Sequence, residues 1–313
     1  MSALGELRTL RSQSRVHVQS EAAKKEERAA YLFMLPWLAG LVLITAGPMV
    51  ISLYISLTDY NLLQTPQFVG LQNYLHMLDD ARLQNSLRVT FVYVFVSVPI
   101  QLAAALGIAV VLNRGMRGLA FYRSVYYLPS LLGGSVAIAV LWRRLFGSDG
   151  LVNQGLALLG IENAPAWVSE PSTALGTLVV LNVWTFGAPM VIFLAGLRQV
   201  PVMFYEAAAV DGAGRWAQFT RITLPLITPI IFFNVVLQII HAFQAFTQAF
   251  IVSGGTGGPS DATMFFTLYL YQSGFGNFQM GYASAMAWVL LVIVAAFTAI
   301  NFWASRFWVF YDD

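Results

Sequence analysis

The apolar stretch from Leu226 to Val252 carries more hydrogen-bonding side chains than a lipid-facing helix tolerates: Asn234, Gln238, His241, Gln244, Thr247 and Gln248. At helical spacing Asn234, Gln238, His241 and Gln248 fall near one face. Polar groups left bare in hydrocarbon are costly, so that face is expected to look toward a partner or a water-filled path. Phe243, Phe246 and Phe250 lie alongside. Amides suit hydroxyls and aromatic rings suit the C–H faces of a sugar, which makes a carbohydrate pathway one reading. Amides acting as hydrogen-bond glue between helices are the other, and His241 is equally readable as a packed, neutral histidine.

A second unusual segment precedes this stretch. The connection Arg198 to Pro225 is about 28 residues long and holds helix formers, Met203, Phe204, Glu206, Ala207, Ala208 and Ala209, broken by Asp211 and Gly212. A further amphipathic stretch, Arg215 to Ile222, ends at Leu224 and Pro225. The pattern predicts two short helices around a glycine turn, lying against a membrane rather than crossing it. Glycine at 212 fits a turn that needs positive φ. Small side chains at 207–209 offer a surface that another protein's groove approaches closely; a passive amphipathic linker fits the pattern as well.

Other chemistry is missing. A phosphate-binding loop needs glycines leading into Gly-Lys-Ser/Thr, yet Lys24 and Lys25 are the only lysines and neither follows glycine. No HExxH, membrane-facing acid pair or Ser-His-Asp grouping is found, so an embedded enzyme has no catalytic residues to use. His17, His76 and His241 fall in a head, a loop and a span, which argues against a shared metal site. No Asp or Glu lies inside an apolar stretch, which weakens a self-contained ion-coupled carrier without eliminating it.

These segments must be held by membrane helices. The chain is 58% hydrophobic and 10% charged, against roughly a quarter charged in a soluble domain. It contains no cysteine, and its net charge of +2 gives no reason to expect nucleic acid. A helix crosses the bilayer with about 20 mostly apolar residues. Six stretches qualify: Tyr31–Leu57, Val89–Leu112, Val125–Phe146, Thr173–Leu197, Leu226–Val252 and Gly281–Trp303. The expected fold is therefore all-α and polytopic. Prolines 36, 48, 99, 129, 189 and 229 are read as ordinary kinks.

Thirteen of the seventeen Lys and Arg residues fall on one side of this arrangement, leaving Arg82, Arg88, Arg143 and Arg144 on the other. The positive-inside rule then puts both termini in the cytoplasm. The organisation expected is a cytoplasmic head at 1–30, a six-helix transmembrane domain at 31–303 with a cytoplasmic loop at 198–225, and a cytoplasmic tail at 304–313. The head is long and partly acidic (Glu21, Glu26, Glu27), so the first stretch reads as an uncleaved span rather than a signal sequence.

The run Glu206-Ala207-Ala208-Ala209-Val210-Asp211-Gly212, followed after nine residues by Ile222-Thr223-Leu224-Pro225, resembles the EAA loop of ABC-importer permeases at every fixed position. Phe68-Val69-Gly70-Leu71-Gln72-Asn73-Tyr74 resembles the FxGLxNY element of carbohydrate-type permeases of the MalF and UgpA kind. Tyr122-Arg123 with Leu128-Pro129, Gly257-Gly258-Pro259 and Gly281-Tyr282-Ala283-Ser284-Ala285 are similar to the same subunit type. The head before Tyr31 falls outside the resemblance.

The resemblance implies a type I ABC importer permease fold in a bacterial cytoplasmic (inner) membrane. Glu206, Ala207, Ala208, Asp211, Gly212, Leu224 and Pro225 would couple it to an ATPase. Implied partners are a second, MalG/UgpE-like permease subunit, an ATPase subunit dimer and an extracytoplasmic solute-binding protein. ATP and Mg would be bound by the ATPase, with no cofactor in this chain. By the same resemblance, Trp184, Gly187, Pro189 and Met190 correspond to part of a sugar path, beside the candidates Asn234, Gln238, His241, Gln244 and Gln248. A glycerol-3-phosphate-type importer is the alternative. Phosphate favours Arg or Lys, and the middle of the spans has neither, so a neutral sugar is preferred.

Overall fold

The computed structural model describes residues 21–115, 118–161 and 163–310, with side chains from Ala29 onward. Residues 1–20 of the expected head, Arg117, and residues 311–313 of the tail lie outside the described residues. The chain divides after Tyr54 into two units. The first holds all but the last two residues of one long helical span, Ala29–Ser56. Its middle, Leu41–Ala46, widens into a π-helix, and the Gly47 N–H reaches back to the Val42 carbonyl. Pro48 has no N–H to offer the carbonyl four residues earlier, so the ladder changes register here.

In the second unit the longest helix is the second span, Ala81–Leu112. It starts eight residues before the expected Val89, which corrects the reading of Arg82 and Arg88 as loop residues. The cause is an N-cap: the Asp80 carboxylate accepts from the Arg82 and Leu83 amides, 3.0 Å each, satisfying donors that a helix start leaves orphaned. Val94, Val98, Leu102, Ala105 and Ala109 form its buried stripe. The opposite side, with Phe95, Ile100 and Val111, is apolar and exposed, as suits a helix whose solvent is lipid.

The third and fourth spans are broken rather than continuous. Leu119–Leu132 and Val136–Leu145 meet at 95°, where one span over Val125–Phe146 with an ordinary kink at Pro129 was expected. Gly133-Gly134 ends the first half, and the Ser135 hydroxyl caps the second by accepting from the Ile138 amide at 3.3 Å. Pro171–Trp184 and Gly187–Leu197 meet at 41°. Pro189 cannot donate to the Thr185 carbonyl. That oxygen instead takes the Ser130 hydroxyl at 2.7 Å and the Gln101 amide at 3.4 Å. Ser130 in turn accepts from the Ala188 amide at 2.9 Å.

The fifth span, Thr228–Val252, is interrupted at Gln244–Phe246, between helices Thr228–Phe243 and Thr247–Val252. Thr267 donates its hydroxyl to the freed Ala245 carbonyl. The sixth span is Met280–Ser305. Among the described residues four helices are long and apolar enough to cross a membrane, and there are six spans when each bent pair counts as one. Phe193, Phe243, Phe265, Phe266, Met190 and Leu178 fill the core of the second unit.

Candidate functional site

The connection between the fourth and fifth spans begins at Pro201, which caps a helix over Val202–Val210. The helix ends in a Schellman turn: the Ala213 amide bonds the Ala208 carbonyl at 2.8 Å and the Gly212 amide bonds Ala209 at 3.1 Å. Gly212 sits at φ +79, and a Cβ there would touch nothing within 4 Å. Glycine is needed for its backbone, not for room. The chain then runs through Arg215–Gln218 and a π-helical turn, Phe219–Thr223, into Leu224–Leu226.

One side of this hairpin is anchored and the other is open. The Tyr205 and Thr223 hydroxyls share a hydrogen bond at 2.8 Å, and Ile222 and Leu226 pack on the core. Leu224 and Pro225 are half-buried. Glu206, Ala207, Asp211 and Gly212 are exposed and Ala208 is half-buried. Val210 is 87% exposed and Trp216 76%. A short helix that leaves such side chains bare beside a fixed turn has the form of a docking element.

The polar residues of the fifth span part company. Asn234 is fully buried and donates to the Ile230 carbonyl one turn back at 3.1 Å, while its Oδ1 has no partner among the described residues. Gln238 is half-buried, and His241 and Gln244 are exposed. Gln248 lies beyond the helix interruption, so the four-residue face expected of one straight helix is divided. Gln248 donates to the Gly133 carbonyl at 3.1 Å. In the fourth span Trp184 is half-buried with its ring 5.9 Å from that of Trp142. Met190 is 0% exposed, and Gly187 is pressed against the Tyr126 and Tyr127 backbone.

Sequence reasoning missed the residues that hold the breaks together. Gln101, 1% exposed in the second span, donates to the Thr185 hydroxyl at 3.0 Å and accepts from Asn182 at 3.3 Å. A Cβ on Gly133 would fall 2.2 Å from the Thr185 methyl. The breaks of the third, fourth and fifth spans therefore meet around Gly133, Thr185 and Gln248. A lone Gln101 amide in an apolar run was the available signal.

The motif residues on the opposite side act as staples. Asn73 donates to the Ser56 and Thr58 carbonyls, 2.8 Å each, and the Tyr74 hydroxyl meets that of Ser56 at 2.8 Å. Gly281 lets the sixth span approach Thr58, since a Cβ there would lie 2.0 Å from the Thr58 carbonyl oxygen. Asp80 accepts the Tyr269 and Tyr282 hydroxyls at 2.7 Å each. Asp261, at φ +57, is gripped by the Arg82 guanidinium at 2.9 Å through both oxygens. That backbone conformation costs a non-glycine residue about 1–3 kcal/mol.

Burial works to raise the Asp80 carboxyl, but the bonds from Tyr282, Tyr269, Leu83 and Arg82 outweigh it and hold its pKa below the ordinary carboxylate value. A depressed carboxyl stabilises the fold above its unfolded pKa of about 3.9, and this stabilisation is lost as pH falls through the lower folded value. Asp80→Asn is expected to lower the thermal midpoint at pH 7, with the gap from wild type closing as pH drops below about 4. A gap that stays constant from pH 7 to pH 3 would contradict this account.

Comparison with known proteins agrees with this geometry. Residues 80–308 match the family model described as binding-protein-dependent transport system inner membrane component. The chain is 50% identical over 296 residues to the probable ABC transporter permease protein YesP of Bacillus subtilis (strain 168), covering 94% of this chain and 96% of that one. It is 30% identical over 295 residues to the trehalose/maltose transport system permease protein MalF of Thermococcus litoralis, covering 93% and 98%. A subunit in the crystal structure of a bacterial alginate ABC transporter, in complex with alginate pentasaccharide-bound periplasmic protein, superposes with a TM-score of 0.79 at 20% identity, over 90% of this chain and 95% of that one. The fold, the exposed hairpin and these matches lead to one conclusion: the chain belongs to the binding-protein-dependent transport system inner membrane components, the permeases of ABC transporters.

Proposed function

We propose that this chain is one of two permease subunits of an ATP-driven importer for mono-, di- or oligosaccharides, and that the Val202–Val210 hairpin couples ATPase closure to alternating access. The observation that carries the reading is the hairpin itself, fixed by Tyr205, Thr223 and Gly212 and bare at Glu206, Ala207 and Asp211. A rigid, exposed helix transmits a push from a partner only if its root is tied to a span, and the hairpin's root runs directly into the fifth. That span carries the polar residues His241 and Gln244 on its open side, so motion at the hairpin reaches the candidate pathway through one helix.

Sugar as the cargo fits the exposed amide and imidazole together with Phe246 and Phe250, whose rings lie 5.3 Å apart, and the relative named for trehalose and maltose supports it. The excess of Arg and Lys on the hairpin's side orients that side, and both termini, toward the cytoplasm. A solute-binding protein then delivers from the opposite side, and the residue ranges 1–30, 31–303 and 304–313 are head, permease domain and tail.

The test is ATP hydrolysis by the reconstituted importer with and without sugar-loaded binding protein. Hydrolysis is expected to rise when loaded binding protein is added, and the sugar that raises it names the cargo. Stimulation by glycerol phosphate rather than a neutral sugar would reassign the substrate class. Uptake by this chain alone, with no ATPase present, would overturn the reading.

A further inference from the structure

Beside the root of the hairpin lies a cavity of about 950 Å³ that the transport reading does not use. One wall is apolar, formed by Leu106 and Val110 of the second span, Leu197 at the end of the fourth, and Phe219. The rim is polar and cationic, with Arg114 just past the end of the second span and Arg215 at the start of the helix Arg215–Gln218. Among the described residues neither guanidinium holds an ion pair or a hydrogen bond, and no carboxylate lines the cavity. Trp216, also on the rim, stands largely exposed, a position typical of indole rings at a membrane–water interface.

An apolar wall running along a membrane helix, a pair of free arginines at its end and an interfacial tryptophan describe a ligand with an acyl chain and an anionic head. The geometry points to a bound anionic phospholipid, its phosphate between Arg114 and Arg215 and one acyl chain against Leu106, Val110 and Leu197. Arginine matches phosphate with a fork of donors, and basic pockets between spans are a recognised way of holding anionic headgroups. A zwitterionic lipid fits less well, because no carboxylate is present to meet its ammonium group. Placing this lipid in the cytoplasmic leaflet rests on the orientation proposed above; the site itself does not. Because the cavity joins the hairpin's root to the second and fourth spans, the lipid would brace the hairpin from behind.

The experiment is native mass spectrometry of the assembled importer, purified in mild detergent and offered equal amounts of phosphatidylglycerol and phosphatidylcholine. Wild type is expected to retain phosphatidylglycerol with a preference of about five- to tenfold. Arg114→Gln/Arg215→Gln is expected to show none, and Arg114→Lys/Arg215→Lys an intermediate preference. Excess soluble glycerol phosphate, which has the anionic head without acyl chains, is expected to leave the lipid in place. No preference in wild type would overturn the proposal whether or not the variants assemble. Displacement by glycerol phosphate would do so too, by making the ligand a water-soluble phosphate. Retention is read without ATP or sugar, so its failure leaves the import reading intact, and failure of sugar-stimulated hydrolysis leaves the lipid site intact.

Discussion

Gly212→Pro is expected to abolish sugar-stimulated ATP hydrolysis and uptake, while the chain still inserts into the membrane and is recovered at wild-type level. Proline fixes φ near −65° and has no N–H, whereas Gly212 stands at φ +79 and donates to the Ala209 carbonyl. The substitution removes the turn and one of its two closing bonds together, so the exposed face of Val202–Val210 leaves its angle to the fifth span. Gly212→Ala is the graded control. Its Cβ meets nothing, so its cost is the left-handed backbone alone, about 1–2 kcal/mol, and coupling is expected to fall roughly fivefold rather than vanish. Glu206→Ala, which leaves the turn untouched and changes only the exposed face, separates docking from geometry. The readouts are hydrolysis and uptake in proteoliposomes. Normal uptake by the proline variant would show that this hairpin is not the coupling element.

A large loss of stability is expected on substituting Gly187. A Cβ there would sit 2.3 Å from the Tyr126 carbonyl oxygen and 2.7 Å from the Tyr127 Cα. Both are backbone atoms that no rotamer change moves away. Gly187→Ala must therefore push the two broken spans apart where they cross, and overpacking of this kind costs about 1–3 kcal/mol. Larger residues such as valine are expected to prevent recovery of folded protein. Gly176, earlier in the same span, has nothing within 4 Å of the equivalent position. Gly176→Ala should be neutral, or stabilising by up to about 1 kcal/mol through helix propensity. Thermal unfolding of the two alanine variants in detergent reads the difference directly. Equal midpoints would mean that the approach of the spans at Gly187 is not tight in the folded protein.

Much of this architecture is written in the residues. Apolar length located six spans to within a few residues at most ends, and the hairpin was legible because Glu206 to Gly212 combines helix formers with a glycine that only a left-handed turn requires. The start of the second span was misjudged. Asp80 is an N-cap residue of the usual kind, and the helix it starts opens with Arg82 and Arg88, a polar stretch that apolar length alone leaves outside the span.

The kink at Pro189 was legible, but the extent of the helix breaks was not, for a different reason. Two or three residues such as Thr185-Phe186 barely change the hydropathy of a window that spans a membrane, so an interrupted and a straight helix look alike. Gly133-Gly134-Ser135 did hold a signal, a stop followed by a cap. Pro189 held one too, but only the presence of Ser130 and Gln101 on other spans makes the break affordable to the backbone. Partners distant in sequence decide such features, and one sequence does not reveal them. The same holds for the polar residues of the fifth span: their spacing assumed a continuous helix, which the interruption at Gln244–Phe246 removed.

The way the Thr185 carbonyl is satisfied has a mechanical meaning. In an unbroken helix, changing the axis direction means stretching backbone bonds within one rigid rod. Here the bend is spanned by a hydroxyl and an amide from two neighbouring rods, Ser130 and Gln101. Side-chain bonds inside membrane proteins are worth about 0.6 kcal/mol on average, close to thermal energy. The bend of the fourth span is thus held by weak side-chain bonds from two neighbours, while each of its two arms keeps its own backbone ladder whole.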